Sequence, residues 1–109
     1  MITWNDFEKI DIRAGTILAA EEFPQAHKPA YRLRIDFGPL GIKQSSAQLT
    51  SLYKKEALVG LQVLAVVNFP AKQIANFFSE CLVLGVYNQN NDVVLLQPQQ
   101  KVENGNKVG

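Results

Sequence analysis

Two arginines on one face of a predicted strand are the residues whose spacing most clearly allows chemistry. The segment Tyr31 to Phe37 alternates apolar and charged side chains without a break, which is the pattern of a half-buried strand. Arg32 and Arg34 should therefore project together from its solvent face, and Lys43 lies on the strand that we expect to pair with it. Each contact between such a cation and a phosphate adds affinity that falls with salt. The pattern predicts a face that binds a polyanion.

The distribution of charge agrees with this prediction, although the net charge of +1 conceals it. Residues 27–55 contain six lysines and arginines against Asp36 alone, a formal +5, while residues 1–26 carry −3 and residues 56–109 carry −1. A solvated basic face without a partner would give the same distribution, and the isoelectric point of 7.8 is lower than nucleic-acid-binding domains usually have. Charge alone leaves both interpretations open.

Neither catalysis nor metal binding has support in the motifs. The sequence contains no glycine-rich phosphate loop, dinucleotide-binding fingerprint or hydrolase nucleophile elbow. His27 and Cys81, the one histidine and the one cysteine, do not suffice for a zinc site, and a thiol at the start of an apolar strand is usually an inert packing residue. Asp36 would pair with Glu80 or Asp92 as an acid and base only if the fold brought them together beside a pocket. We expect no enzymatic activity, no cofactor and no metal.

Short strands must position these residues. The length fits a single domain, residues 1–109. Thr3 and Asp6 resemble a capping box that begins a helix over residues 3–9, and Gly15 suggests a bend in a long strand over residues 11–23. Beyond the strand over 31–37, the patterns predict a returning strand over 42–46, a helical turn over 48–55, a central strand over 61–69, a loop or half-formed helix over 71–79, and strands over 82–87 and 93–97 joined by a hairpin tip over 88–92.

This order of elements predicts an all-β fold, a five-stranded OB-fold barrel with a short N-terminal helix and a short helix between strands 3 and 4. Periodicity alone would fit an SH3-like barrel or a small sandwich nearly as well. The outer face of an OB-fold commonly binds oligonucleotides, which suits the basic strand.

Apolar side chains near the N-terminus predict an interface between two copies of the chain. Trp4, Phe7 and Ile10 follow one another at helical spacing, and a helix this short must pack on something. We expect these residues to build a homodimer interface. The first fifteen residues lack the apolar stretch of a secretory signal, and the longest apolar run, Val63 to Val67, is too short for a membrane span. The protein is expected to be cytoplasmic, without membrane insertion.

Five segments of the sequence resemble a known family. Gln44 to Thr50 read Gln-Ser-Ser-Ala-Gln-Leu-Thr, and Ser79 to Leu84 read Ser-Glu-Cys-Leu-Val-Leu. Both motifs resemble those of tRNA-binding domains of the EMAP-II type and, among these, of the stand-alone CsaA type, an export-related chaperone. The resemblance implies an OB-fold, a homodimer and no catalytic activity. The matching segments, which span nearly the whole chain, are Phe7–Ile17, Gly41–Thr50, Val66–Pro70, Ser79–Gly85 and Val93–Pro98.

The resemblance also implies where tRNA would bind. Arg34 occupies the cationic place in the Leu-x-Ile-Asp strand, and Ser79 and Leu82 occupy the serine and leucine places of the later motif. Close relatives often have two basic residues and later a glycine beyond Pro70, whereas residues 71–76 carry one cation and no glycine, which weakens the tRNA interpretation more than the chaperone interpretation. The expected RNA-binding residues are Arg32, Arg34, Lys43, Ser46, Lys72, Ser79 and Leu82.

Two functions of different classes follow. A chaperone-like module would hold unfolded or export-bound polypeptides through exposed apolar side chains, because exposed apolar patches usually mark an interaction site. The alternative is a dedicated tRNA-binding protein that recognises RNA by shape and phosphates, and one groove could accept either ligand. A docking appendage is a third interpretation. The expected polypeptide-binding residues are Phe69, Ile74, Phe77, Phe78 and Leu82, although Phe77 and Phe78 would fit the core equally well.

Overall fold

The computed structural model describes all 109 residues, and five of its nine strands form one curled sheet. The elements in chain order are α1 (Trp4–Glu8), β1 (Ile12–Glu22), β2 (Tyr31–Asp36), a 3-10 turn (Gly38–Leu40), β3 (Ile42–Ala47), α2 (Lys55–Leu58), β4 (Gln62–Val66), β5 (Lys72–Ile74), β6 (Phe77–Ser79), β7 (Leu82–Val83), β8 (Gly85–Tyr87) and β9 (Val93–Leu95). The antiparallel sheet has the order β3-β2-β1-β4-β7, and β5-β6 and β8-β9 are separate hairpins. The sheet forms a nearly closed barrel, so the predicted five-stranded OB-like barrel with two short helices is confirmed.

β1 is eleven residues long, and this length allows it to pair with two neighbouring strands. Its first half pairs with β4 and its second half with β2. The register with β2 shifts between Ile17 and Ala19, which leaves Leu18 as the extra residue of a bulge. A bend in this strand was expected, but its predicted place at Gly15 is wrong, since Gly15 pairs regularly with Val63.

Gly15 is instead a point of close approach between β1 and the core. A Cβ atom at this position would lie 2.7 Å from Cγ2 of Ile35 and 2.7 Å from ring carbons of Phe37. Both neighbours are fully buried, so neither has free space to move into. A glycine is therefore required here by packing.

Successive residues of each strand point alternately into the barrel and out to solvent, and the inward-pointing side chains fill its interior. β2 buries its odd-numbered residues and holds Arg32 and Arg34 on the outer face, as the sequence predicts. Tyr53 closes one end, because its hydroxyl accepts the Leu95 N–H at 3.1 Å and its carbonyl accepts the Tyr31 hydroxyl at 2.8 Å. The core consists of Ile17, Tyr31, Leu33, Ile35, Phe37, Leu49, Leu58, Val63, Ala65, Cys81 and Leu95.

α1 begins at the expected capping box and stays outside the core. The Thr3 N–H donates to the Asp6 carboxylate at 3.0 Å, and the Thr3 hydroxyl accepts the Asp6 N–H at 3.3 Å. No residue of α1 is buried, and Trp4 is 85% exposed. No helix of the structure has the length and apolar character needed to cross a bilayer.

The chain after α1 is fixed to the barrel by one asparagine. The Asn68 side chain donates to the Lys9 carbonyl at 2.8 Å and accepts the Asp11 N–H at 3.0 Å. The Arg13 guanidinium binds the Asp11 carboxylate and lowers the pKa of that carboxyl. These contacts hold the exposed helix at a defined place on the barrel.

Residues 71–79 differ from the prediction because they form the hairpin β5-β6 rather than a loop or half-formed helix. Ala75, in the two-residue turn, has a φ of 54°, a conformation for which glycine or asparagine is the usual sequence signal. The helical turn predicted over residues 48–55 is present as a single turn, in which the Tyr53 N–H donates to the Leu49 carbonyl at 3.1 Å, and α2 follows at Lys55. The predicted strand over 82–87 is interrupted at Leu84.

Candidate binding groove

The barrel closes between β3 and the segment Ser79 to Leu82, along a line of contacts that we call the seam. The Gln44 N–H donates to the Glu80 carboxylate at 2.9 Å, and the Glu80 N–H donates to the Gln44 carbonyl at 2.8 Å. The Gln44 side-chain amide donates to the Phe78 carbonyl at 3.0 Å. Side chains therefore supply most of the bonds that a continuous backbone ladder would otherwise form.

Three serines complete the seam. The buried Ser45 hydroxyl donates to the Cys81 carbonyl at 2.8 Å. The Ser79 hydroxyl accepts the Ser46 N–H at 3.1 Å and lies 3.3 Å from the same Cys81 carbonyl. The Gln-Ser-Ser and Ser-Glu motifs, which lie far apart in sequence, thus contact each other directly.

A groove of about 370 Å³ lies beside the seam. It is lined by residues 46–49, two residues of β5, Ser79, residues 81–85 of the segment that contains β7, Tyr87 at the end of β8, and Val93. Most of these side chains are apolar, none is acidic, and Lys72 is the one cation. Lys72 forms no ion pair within the chain. The groove therefore combines an apolar surface with one uncompensated positive charge.

The groove brings together residues that were predicted for two different ligands. Ser46, Lys72, Ser79 and Leu82 were expected to contact RNA, and Ile74 and Leu82 were expected to contact polypeptide. Leu82 is 49% exposed, so about half of its side chain is open to a ligand. The Ser79 hydroxyl is already bonded within the seam, to the Ser46 N–H and the Cys81 carbonyl.

Arg32 and Arg34 lie beside a separate cavity of about 160 Å³, which Phe77 also lines. Arg32 donates to the Glu21 carboxylate at 3.2 Å, and its guanidinium carbon lies 5.4 Å from the centroid of the Phe23 ring. Its charge is thus partly compensated within the chain. Arg34 is exposed and forms no ion pair, so its charge is free for a ligand.

Lys43 does not join the two arginines. It pairs with the buried Ile35 on β2, whereas Arg34 pairs with Gln44. Residues directly opposed in an antiparallel pair share a face of the sheet, so Lys43 projects from the face opposite to that of Arg32 and Arg34. The strand pairing expected for Lys43 is confirmed, but the lysine and the arginines do not form one patch.

The predicted aromatic residues fall into two groups. Phe77 is half-buried and packs on Phe23, with 5.3 Å between ring centroids. Phe69 is 55% exposed and Phe78 is 51% exposed, and neither lines the groove. Phe78 is thus a surface residue, and Phe77 is half-buried outside the core cluster.

Tyr87 was not among the predicted binding residues, although it lines the groove and is 72% exposed. The sequence contained one signal for it, since Val86 and Tyr87 are two large apolar residues directly before the polar hairpin tip. Such a pair predicts only an ordinary strand, because the sequence does not show that the strand lacks a neighbour on its groove side.

Cys81 lies at the floor of the groove with its side chain in the core. Burial raises the pKa of the Cys81 thiol to about 11. A thiol that keeps its proton is a poor nucleophile, in agreement with the inert packing role predicted from the sequence.

Comparisons with known proteins cover nearly the whole chain. Residues 12–107 match the model of a family described as a putative tRNA binding domain. The structure of the chaperone CsaA from Bacillus anthracis is 54% identical, with a TM-score of 0.95 over 100% of this chain and 99% of that chain. The CsaA chaperone of Picrophilus torridus is also 54% identical, with a TM-score of 0.94 over the full length of both chains.

Curated relatives include much longer proteins. The methionine–tRNA ligase of Bdellovibrio bacteriovorus is 35% identical over 107 residues, which are 98% of this chain and 15% of the ligase. The chain thus spans 15% of the length of that relative. The family and the CsaA neighbours indicate a binding domain rather than a catalytic one.

Proposed function

The chain belongs to the family of tRNA-binding domains, and on this premise we propose that it acts as a CsaA-type chaperone whose groove holds unfolded or export-bound polypeptide. It does so in the cytoplasm, as a homodimer and a single domain, with tRNA binding as a further capacity. The observation that carries this proposal is the apolar groove beside the seam. Its chemistry suits side chains that a folded protein would bury.

The groove supports polypeptide as the main ligand because its surface is apolar. Leu82, Ile74 and Tyr87 present apolar or aromatic surface, and Lys72 is the only charge among them. An RNA site gains most of its affinity from several phosphate contacts, and one cation supplies few of them. An unfolded polypeptide gains affinity by removing its apolar side chains from water.

The homodimer is supported by the apolar surface that α1 leaves in water. Met1, Ile2 and Trp4 are exposed, and Ile10 just beyond α1 is also exposed. Phe7 is half-buried, and the chain around it is held in place by the Asn68 contacts. A second copy placed on this surface would cover it.

Binding of reduced, carboxymethylated α-lactalbumin, a permanently unfolded polypeptide, tests the proposal. Leu82→Ser should weaken this binding about tenfold, because an apolar side chain leaves the groove. Phe69→Ser is the matched control, since Phe69 is similarly exposed but lies outside the groove. Equal affinity for Leu82→Ser and the parent protein would contradict the proposal.

A dedicated tRNA-binding function is the second candidate. It is supported by the family match and by Arg34 and Lys72, two cations that no carboxylate of the chain neutralises. Unfractionated tRNA titrated across a salt series should then bind with an affinity that falls steeply with salt. Strong tRNA binding with no affinity for unfolded polypeptide would make this candidate the main function.

A further inference from the structure

The strands β7 and β8 follow each other through Leu84 and border the groove as one extended strand, and one edge of this strand has no partner. The Leu84 N–H donates to the Leu64 carbonyl of β4 at 2.9 Å, and the Leu84 carbonyl accepts the Leu96 N–H at 3.2 Å. The Asn88 N–H donates to the Asp92 carbonyl at 2.9 Å. The even-numbered residues of this strand therefore face β4 and the hairpin partner β9, which lie along the same side.

The odd-numbered residues face the other way, because successive backbone groups of an antiparallel strand point to opposite sides. The Cys81 carbonyl on that side accepts the Ser45 hydroxyl in the seam. Val83, Gly85 and Tyr87 follow in the same phase, and no hydrogen bond within the chain engages their backbone groups. All three line the groove, and no backbone ladder joins this edge to β3.

We propose that the groove binds polypeptide as an added β-strand that hydrogen-bonds to the backbones of Val83, Gly85 and Tyr87. The inference rests on the proposed function and specifies the form of its ligand, an extended segment rather than a helix or a nucleic acid strand. Val83 to Tyr87 spans about 13 Å at the rise of a strand, which matches a segment of about five residues. Main-chain bonds of this kind give affinity without demanding a particular sequence.

The side chains around the edge specify the chemistry of the segment. An added strand turns every second side chain toward the groove face, where Leu82, Val93 and Ile74 are apolar. Lys72 would attract a carboxylate at one end of the segment, since no acidic residue lies in the groove. The best ligand is thus an extended segment with alternate apolar residues and one acidic residue. RNA lacks the alternating amide N–H and carbonyl groups with which a peptide extends a sheet.

Amide hydrogen exchange of the full chain, followed by NMR, tests the inference. In the free protein the amides of Val83, Gly85 and Tyr87 should exchange quickly, and those of Leu84 and Val86 slowly. Saturation with reduced, carboxymethylated α-lactalbumin should slow the three odd-numbered amides at least about tenfold. Saturation with tRNA should not produce this alternation.

A pair of substitutions at Tyr87 tests the backbone separately from the ring. Tyr87→Pro removes both the ring and the N–H that faces the groove, and proline is tolerated where a strand edge has no partner. Tyr87→Ala removes only the ring. We expect Tyr87→Pro to bind the unfolded polypeptide about threefold to tenfold more weakly than Tyr87→Ala, the effect of one hydrogen bond.

The outcomes separate the inference from the function on which it rests. Absence of any polypeptide binding would overturn the proposed function and the inference together. Normal polypeptide binding with unchanged exchange at Val83, Gly85 and Tyr87 would overturn strand addition alone. Protection of the same alternate amides by tRNA would also overturn it, because a ligand that only covers the edge would then explain the result.

Discussion

The Ser45 hydroxyl donates a hydrogen bond to the Cys81 carbonyl oxygen at 2.8 Å, across 36 positions of the sequence. Ser45 is fully buried, and Cys81 directly precedes β7, which borders the groove. Ser45 is thus one of the few contacts that join β3 to the start of β7, where no backbone ladder connects them. The stability of the barrel and the position of the groove depend on the same contact.

Ser45→Ala should lower the free energy of unfolding by about 1 to 2 kcal/mol, because the Cys81 carbonyl loses a buried donor. Urea denaturation measures the change. Ser46→Ala is the matched control, since the Ser46 hydroxyl forms no hydrogen bond within the chain and its loss should change stability by less than about 0.5 kcal/mol. Equal stabilities of the two variants would show that the seam does not depend on this bond.

Gly15→Ala should lower the free energy of unfolding by about 1 to 3 kcal/mol, because the added methyl group meets Ile35 and Phe37 in a core without free space. The same denaturation experiment measures it. Gly109→Ala provides the comparison, since no atom lies within 4 Å of a Cβ at that position. A Gly15→Ala protein as stable as the parent would mean that the core can shift to admit the methyl group.

The stability of the protein should fall between about pH 9 and pH 11 through Cys81. Burial raises the pKa of this thiol from 9.0 to about 11, so the unfolded chain loses its proton first and is stabilised as the pH rises through this window. Cys81→Ala should lack this part of the decline. The test is the difference between the unfolding free energies of the two proteins at a series of pH values. A constant difference would contradict the prediction.

Arg34→Ala should weaken tRNA binding and reduce the slope of log affinity against log salt by about 0.7 to 0.9, the effect of one lost phosphate contact. Arg32→Ala is the internal comparison on the same face of β2, and its effect should be smaller because Glu21 already compensates Arg32. Fluorescence titration across a salt series gives both slopes. A larger loss for Arg32→Ala would indicate that the Glu21 pair opens when RNA binds.

Trp4→Ser should convert the proposed dimer to a monomer, because the ring supplies much of the exposed apolar surface of α1. Sedimentation equilibrium measures the mass. Val59→Ser is the control, since Val59 is also an exposed apolar residue but follows α2. An unchanged mass for Trp4→Ser, or for a chain without residues 1–10, would place the interface elsewhere.

The sequence predicted those elements whose signals are local. The alternation of Tyr31 to Phe37 identified β2 and its outward arginines, and Thr3 with Asp6 identified the start of α1. The β5-β6 hairpin was not predicted because its turn contains Ala75 at a positive φ, where glycine is the usual residue and therefore the usual sequence signal. Periodicity shows which side chains share a face of one strand, but the separation of Lys43 from Arg34 depends on register between strands.

The candidate site was predictable in part for the same reason. Resemblance led to Ser79 and Leu82, and the structure places both at the groove. The unpaired edge at Gly85 and Tyr87 could not be predicted, because a missing neighbour is a property of the whole barrel rather than of any segment. The hydrogen bond from the Ser46 N–H to the Ser79 hydroxyl could not be predicted either, since the two residues are 33 positions apart in the sequence.

The seam also allows the width of the groove to change through substitutions. Two strands in a continuous ladder must stay about 4.8 Å apart along their whole length, whatever their side chains. Here β3 and the segment Ser79 to Leu82 share one backbone bond, from the Glu80 N–H to the Gln44 carbonyl, and beyond it only the side chains of Ser45 and Ser79 join them. Substitutions at these positions would widen or narrow the mouth while leaving the barrel topology intact, so one backbone could be fitted to ligands of different thickness.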